Sequence, residues 1–205
     1  MELSEAILQG IQGGVDRHWR YAKGLLRVKP EYLLTISVAD KLSNGFGNTH
    51  GLDVEIKLEE PTHLVVGHLW MEAVGWSRYY KDRVPWQGRR GKIDIFLECY
   101  KERHAVELKN INPNATEVKK EITRFKHLFE INSGNNQLKS CHLAFPTTTN
   151  KESWIQKQVN KSLISDKLLE FKFLSRYVET GEDPEDGIPA YYCNVISFLR
   201  KMPPM

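Results

Sequence analysis

The sequence predicts an α/β fold, a mixed sheet flanked by helices. Three observations lead there. Residues 92–98 and 104–109 each alternate apolar and polar side chains and are separated by a short polar stretch, so they read as an antiparallel hairpin. Residues 116–131 place Val118, Ile122, Phe125, Leu128 and Phe129 at helical spacing. Another apolar strand follows at 140–145 and ends at Pro146.

The remaining elements fill in around this centre. Residues 3–12 predict a short helix that Gly13-Gly14 ends or bends, with a second, basic and aromatic helical piece over 17–26. Pro30 suits the first turn of the next helix, beside Glu31, whose charge the positive end of the helix dipole favours. Its apolar stripe is Tyr32, Leu33, Ile36, Val38, Ala39 and Leu42, and the stretch 44–48 stops it. Residues 52–58 alternate as a half-buried strand that Glu59-Glu60-Pro61 breaks. Residues 64–66 look like strand, 67–76 are strand or helix, and 77–91, aromatic and basic, form a long loop or flap. After the hairpin, long helix and strand, Asn150 caps a helix with Trp154, Ile155, Val159 and Leu163 on its apolar face. Strands at 168–178 and 191–199 enclose an acidic loop at 179–187. No internal repeat or linker divides the 205 residues, which suit a single domain with its own core.

Composition narrows the function classes. The apolar and charged fractions, 40% and 27%, are those of an ordinary soluble protein. A net charge of +3 does not by itself indicate a nucleic-acid partner, but positive side chains bunch at 17–27, 78–92 and 119–126. Cys99, Cys141 and Cys193 are too few and too scattered for a disulfide framework, and they fit a reducing cytoplasm. The first residues have no secretory pattern, and no apolar run is long enough to span a bilayer. The seven histidines form no close pair at ligand spacing, so a zinc site is not expected. A glycine-rich phosphate loop, and with it an ATP-driven motor, is also missing.

Chemistry concentrates on the hairpin. Asp94 lies on the polar face of one strand, and Glu107 and Lys109, two apart, share a face of the other. Buried carboxylates repel each other, and a divalent cation relieves that cost. Mg²⁺ prefers carboxylate and water oxygens, with phosphate completing its shell. A lysine beside such a site can orient or help deprotonate a water. The same three residues would also suit an ordinary solvated sheet face.

Gly91-Lys92-Ile93-Asp94-Ile95 followed by Val106-Glu107-Leu108-Lys109 resembles the signature of the PD-(D/E)XK nuclease superfamily. The long helix and strand that follow resemble its αβββαβ core, a restriction-endonuclease-like mixed sheet flanked by helices. The resemblance puts that core at about 30–146, with an N-terminal helical extension at 1–29 and a C-terminal helix and strands at 150–200. It implies that Asp94 and Glu107 are metal ligands, that the Leu108 backbone carbonyl is a further ligand, and that Lys109 is the catalytic lysine. Ile93 stands where many members carry a proline. The superfamily often adds an acid from the first core helix. Glu31 matches best, with Glu59 and Glu72 as rivals, although Glu31 also suits a plain helix N-terminus.

These expectations amount to a Mg²⁺-dependent endodeoxyribonuclease, with Mn²⁺ able to substitute, in restriction, phage defence or mobile-element biology. Arg78, Lys81, Arg83, Arg89 and Arg90 are expected to hold DNA, most readily a duplex, with tyrosine and tryptophan of the flap stacking on bases. Arg124, one turn from Glu121, could reach a phosphate or pair with Glu121. A homodimer would match duplex symmetry, and a larger complex would be another source of specificity. The alternatives are a nucleic-acid-binding module with little cleavage of its own and a protein-interaction domain.

Overall fold

The computed structural model describes residues 2–22, 31–47, 54–62, 64–65, 91–99, 102–130, 138–163, 169–179 and 190–200. The helices are α1 (Leu3–Ala22), α2 (Glu31–Lys41), α3 (Ala115–Glu130) and α4 (Glu152–Leu163). The strands are β1 (Val54–Pro61), β2 (Lys92–Cys99), β3 (Glu102–Leu108), β4 (Leu138–Thr147), β5 (Leu169–Glu179) and β6 (Ala190–Arg200). They form one six-stranded sheet in the order β1-β2-β3-β4-β6-β5. Among the described strands only β3 and β4 pair parallel, with α3 between them in sequence, as a parallel pair requires a crossover.

The sheet is covered on both faces. Val118, Ile122, Phe125 and Leu128 of α3 and Ile155 and Val159 of α4 pack with Phe96, Ala105, Leu143 and Phe198 on one side. Ile7, Ile11 and Val15 of α1 and Leu34 and Val38 of α2 pack with Ile95, Val106, Leu108 and Val195 on the other. Along β2 and β3, Phe96 and Ala105 therefore face one core while Ile95, Val106 and Leu108 face the other. No described helix is long and apolar enough to cross a membrane.

Several elements differ from the sequence expectation, each for a tertiary reason. Gly13-Gly14 does not end α1, which runs unbroken through Ala22. Gly10 and Gly14 serve a close helix crossing instead, while Gly13 faces open space: a Cβ on Gly10 would lie 2.5 Å from Val38 Cα, and one on Gly14 2.9 Å from Leu34 Cδ2. The same crossing turns α2, so that Leu34, Thr35, Ser37 and Val38 are buried while Tyr32 is 68% exposed. Small polar residues thus occupy the contact expected of Tyr32 and Ile36. A π-turn, Leu42–Gly47, extends α2 where the sequence suggested a stop.

Strand β1 is not broken at Glu59-Glu60-Pro61; it pairs with β2 through Pro61↔Lys92. Glu59 takes a left-handed backbone (φ 51°) between the paired residues Leu58 and Glu60. Residues 64 and 65 are helical rather than strand. Strand β4 continues through Pro146, which sits beside Cys193 of β6. Lys109 N–H bonds Ala144 O, so alternate residues of β4 turn their peptide groups toward β3. Proline's missing N–H therefore points past the end of β3, and its carbonyl accepts from Asn112 N–H at 3.0 Å. The expected flap at 77–90 lies outside the described residues, as do residues 66–76 and the acidic loop beyond Glu179.

Candidate functional site

The β2–β3 hairpin opens at one end, and the opening creates the site. The last paired rung is Ile95↔Val106. Asp94 and Glu107 are the next residues along, opposite each other beyond that rung. Side chains opposite each other in an antiparallel pair share a face, here the face covered by α3. With the ladder ended, Leu108 N–H has no strand carbonyl to reach and donates to Asp94 Oδ2 at 2.7 Å. In an extended strand a residue's N–H and C=O share an edge, so the Leu108 carbonyl also faces this opening. Lys109 follows the last residue of β3, and its N–H is fixed to Ala144 O at 3.0 Å.

Helix α3 supplies the rest of the floor. Its apolar stripe of Val118, Ile122 and Phe125 presses on the sheet, and this brings Glu121 and Arg124 over the end of β3. Lys109 Nζ lies 3.4 Å from Glu107 Oε2 and 3.2 Å from Glu121 Oε1. Arg124 contacts Glu107 Oε1 through Nη2 and lies 3.3 Å from Glu121 Oε2 through Nε. Two acids and two cations thus alternate in a closed ring. The Glu107 and Glu121 side chains are only 2% and 3% exposed, so their charges depend on these partners. Arg124 Nη2 also donates to the Lys92 carbonyl at 3.1 Å, tying α3 to β2.

Glu31 completes the group from the start of α2. Its Oε1 is 3.9 Å from Lys109 Nζ, and its Oε2 accepts from Asn110 Nδ2 at 3.4 Å. The Asn110 Oδ1 atom is buried and has no hydrogen-bond partner among the described residues. Burial raises the Glu31 pKa above the usual carboxylate value, and Asp94, Glu117 and Glu121 add to the rise while Lys109 opposes it. Burial likewise raises Asp94, with a contribution from Glu59; the Leu108 N–H, Lys109 and Arg124 pull it down without cancelling the rise. Glu59, the rival acid, lies across from Asp94 on the edge strand, but its carboxylate bridges to Lys92 Nζ at 2.5 Å.

Among the described residues this cluster holds four carboxylates, Asp94, Glu107, Glu121 and Glu31, against two cations, Lys109 and Arg124. That leaves two negative charges in excess in a largely buried place. The atoms these acids offer are oxygens, the donor type that Mg²⁺ and Mn²⁺ prefer. No three His, Cys, Asp or Glu side chains among the described residues are gathered into a ready metal shell. Lys109 and Arg124 stand between the acids.

The structure therefore brings together Asp94, Glu107, Leu108, Lys109, Glu31 and Arg124. Arg78, Lys81, Arg83, Arg89, Arg90 and Glu72 lie outside the described residues. Sequence reasoning took Glu121 only as a surface partner for Arg124. A signal was present: Glu121 is three residues after Val118 and four before Phe125, inside the apolar stripe.

A second buried polar group also escaped the sequence reading. His104 Nδ1, Ser140 Oγ, His142 Nε2 and Nδ1, and Ser197 Oγ form a chain across β3, β4 and β6, with contacts of 2.7, 2.6 and 2.8 Å. Burial lowers the His104 pKa to about 4 and that of His142 to about 3. Comparison of the chain with protein-family models, with curated proteins and with solved structures gives no match.

Proposed function

We propose that this chain is a divalent-metal-dependent endodeoxyribonuclease, hydrolysing DNA phosphodiester bonds on a restriction-endonuclease-like sheet. The observation that carries the reading is Asp94 facing Glu107 beyond the last rung of the hairpin, with Lys109 Nζ 3.4 Å from the Glu107 carboxylate. The all-oxygen donor set and its excess negative charge support a cation. Asp94, Glu107 and the Leu108 carbonyl would hold Mg²⁺, with Mn²⁺ able to replace it. Such an ion, when bound, polarises a phosphate and makes an attacking water more acidic.

The chain's own residues supply the remainder. Lys109 is fixed by its backbone to β4 and by Glu107 and Glu121 at its amine, so its amine is held where negative charge grows during phosphoryl transfer. Glu31 and Asn110 steady Lys109 from the side of α2. Arg124, in contact with Glu107, would be the side chain to take a phosphate oxygen. Duplex DNA is the substrate best suited to a homodimer, and restriction, phage defence or mobile-element biology is the setting in which such an activity serves.

The closed ring around Glu107 favours one second reading, a nucleic-acid-binding module that cleaves little by itself. A single set of incubations separates the two. Purified protein is mixed with supercoiled plasmid, linear duplex and single-stranded DNA in Mg²⁺, Mn²⁺ or EDTA. Nicked or linear plasmid with either metal, and intact plasmid in EDTA, is expected. Metal-independent binding without cleavage would select the second reading, and neither binding nor cleavage would reject both.

A further inference from the structure

We infer that Arg124 is a built-in counterion for Glu107 which a divalent cation must displace, so that the empty and metal-loaded forms of the site exclude each other. The inference rests on the nuclease reading for the identity of the ion, and on the ring geometry for everything else.

Glu107 has both oxygens engaged: Oε1 faces Arg124 and Oε2 faces Lys109. The same holds for Glu121, with Oε1 on Lys109 and Oε2 on Arg124. A cation ligated by Glu107 and Asp94 needs at least one of those oxygens. Of the two partners, Lys109 is the harder to move. It sits on the chain directly after β3, its N–H is fixed to Ala144 O, and its amine serves three carboxylates. Arg124 reaches the site from α3, and beside Glu107 it contacts one further carboxylate, Glu121 Oε2 at 3.3 Å. Arg124 is thus the partner that leaves. Its other contacts, to Glu121 and the Lys92 carbonyl, allow it to remain beside the site after leaving Glu107.

The consequence is a competition that can be measured without any cleavage. In Arg124→Gln, Glu107 has lost the cation that shares Oε1, so Mn²⁺ should bind more tightly. The apo protein should be less stable, because a buried carboxylate has lost its counter-charge. Arg124→Lys keeps a positive charge and so protects the fold, but it loses the forked guanidinium, and its Mn²⁺ affinity should fall between the other two.

The experiment is calorimetric titration of Mn²⁺ into wild type, Arg124→Gln, Arg124→Lys and Asp94→Asn, with melting curves in EDTA and in saturating Mn²⁺. The expected result is Mn²⁺ affinity roughly tenfold higher in Arg124→Gln, the ratio that removing about 1.4 kcal/mol of competition gives. Mn²⁺ should also raise the melting temperature more in that variant than in wild type. If wild type binds Mn²⁺ and Asp94→Asn weakens it, while both Arg124 variants bind no more tightly than wild type, the counterion role is wrong and the metal site stands. Should Arg124→Gln fail to fold, Arg124→Lys decides the matter by the same comparison. If wild type binds no Mn²⁺ at all, the metal reading and this inference fall together.

Discussion

Glu107 on β3 and Glu121 on α3 are joined twice, once through Lys109 and once through Arg124. One acid comes from the sheet and the other from the helix packed over it, so the same four side chains that shape the site also lock α3 to the end of the hairpin. Buried charges in such a ring are costly to desolvate, so each of the four depends on its partners.

Asp94 follows the same logic. Burial and the charge of Glu59 raise its pKa, so ionising this carboxyl costs more in the folded chain than in the unfolded one. A raised folded-state pKa makes an acid unfavourable to stability above that value and neutral below the unfolded value. Asp94→Asn keeps an oxygen for Leu108 N–H and removes the charge. It should melt roughly 2–4 °C higher than wild type at pH 7 without metal, the shift that about 1 kcal/mol gives in a chain of this size. The difference should vanish below the ordinary aspartate pKa. Melting curves across that range test it, and a variant less stable than wild type at pH 7 contradicts it.

The His104–Ser140–His142–Ser197 chain predicts acid sensitivity. Both folded pKa values, about 4 and about 3, lie below the unfolded histidine value. The unfolded chain therefore takes up protons first as pH falls. Stability is full above about pH 6.5 and is lost as pH drops through the window toward 4, with a slope of up to about 1.4 kcal/mol per pH unit for each histidine. Urea unfolding of wild type and His142→Gln at several pH values reads the slope directly. The variant should show a shallower loss whatever its stability at pH 7; identical slopes would remove His142 from the account.

The α1–α2 crossing gives a matched pair of glycine tests. A methyl at Gly10 meets the backbone of Val38 at 2.5 Å, whereas one at Gly13 meets nothing within 4 Å. Gly10→Ala should lose about 1–3 kcal/mol through overpacking. Gly13→Ala should gain about 0.5–1 kcal/mol from better helix propensity and a less flexible unfolded chain. Urea titration of both variants decides, and equal effects of one sign would contradict the crossing.

What the sequence made legible depended on how local the cause was. Alternation placed Asp94, Glu107 and Lys109 on one face because a strand's two-residue period needs no knowledge of the rest of the chain. The stripe Val118, Ile122, Phe125 found α3 for the same reason. Glu121 was missed because a glutamate in an amphipathic helix is ordinarily solvated, and only the position of Lys109 across the gap makes it a buried partner. Gly14, Tyr32 and Pro146 differ from the local expectation for one shared cause. Each obeys a neighbouring element, α2, α1 or the end of β3, whose place the local pattern does not carry.

Lys109 offers the most direct test of the central claim. Its amine interacts with charge that develops only as the phosphodiester breaks, so its loss should lower turnover far more than DNA affinity. The measurement is single-turnover cleavage of duplex DNA in Mg²⁺ by wild type, Lys109→Ala and Lys109→Arg, each confirmed as folded by circular dichroism, with DNA affinity measured in parallel. The account predicts that Lys109→Ala cleaves roughly 10²-fold or more slowly while binding DNA nearly as well. A folded alanine variant that cuts within a few-fold of wild type would contradict it.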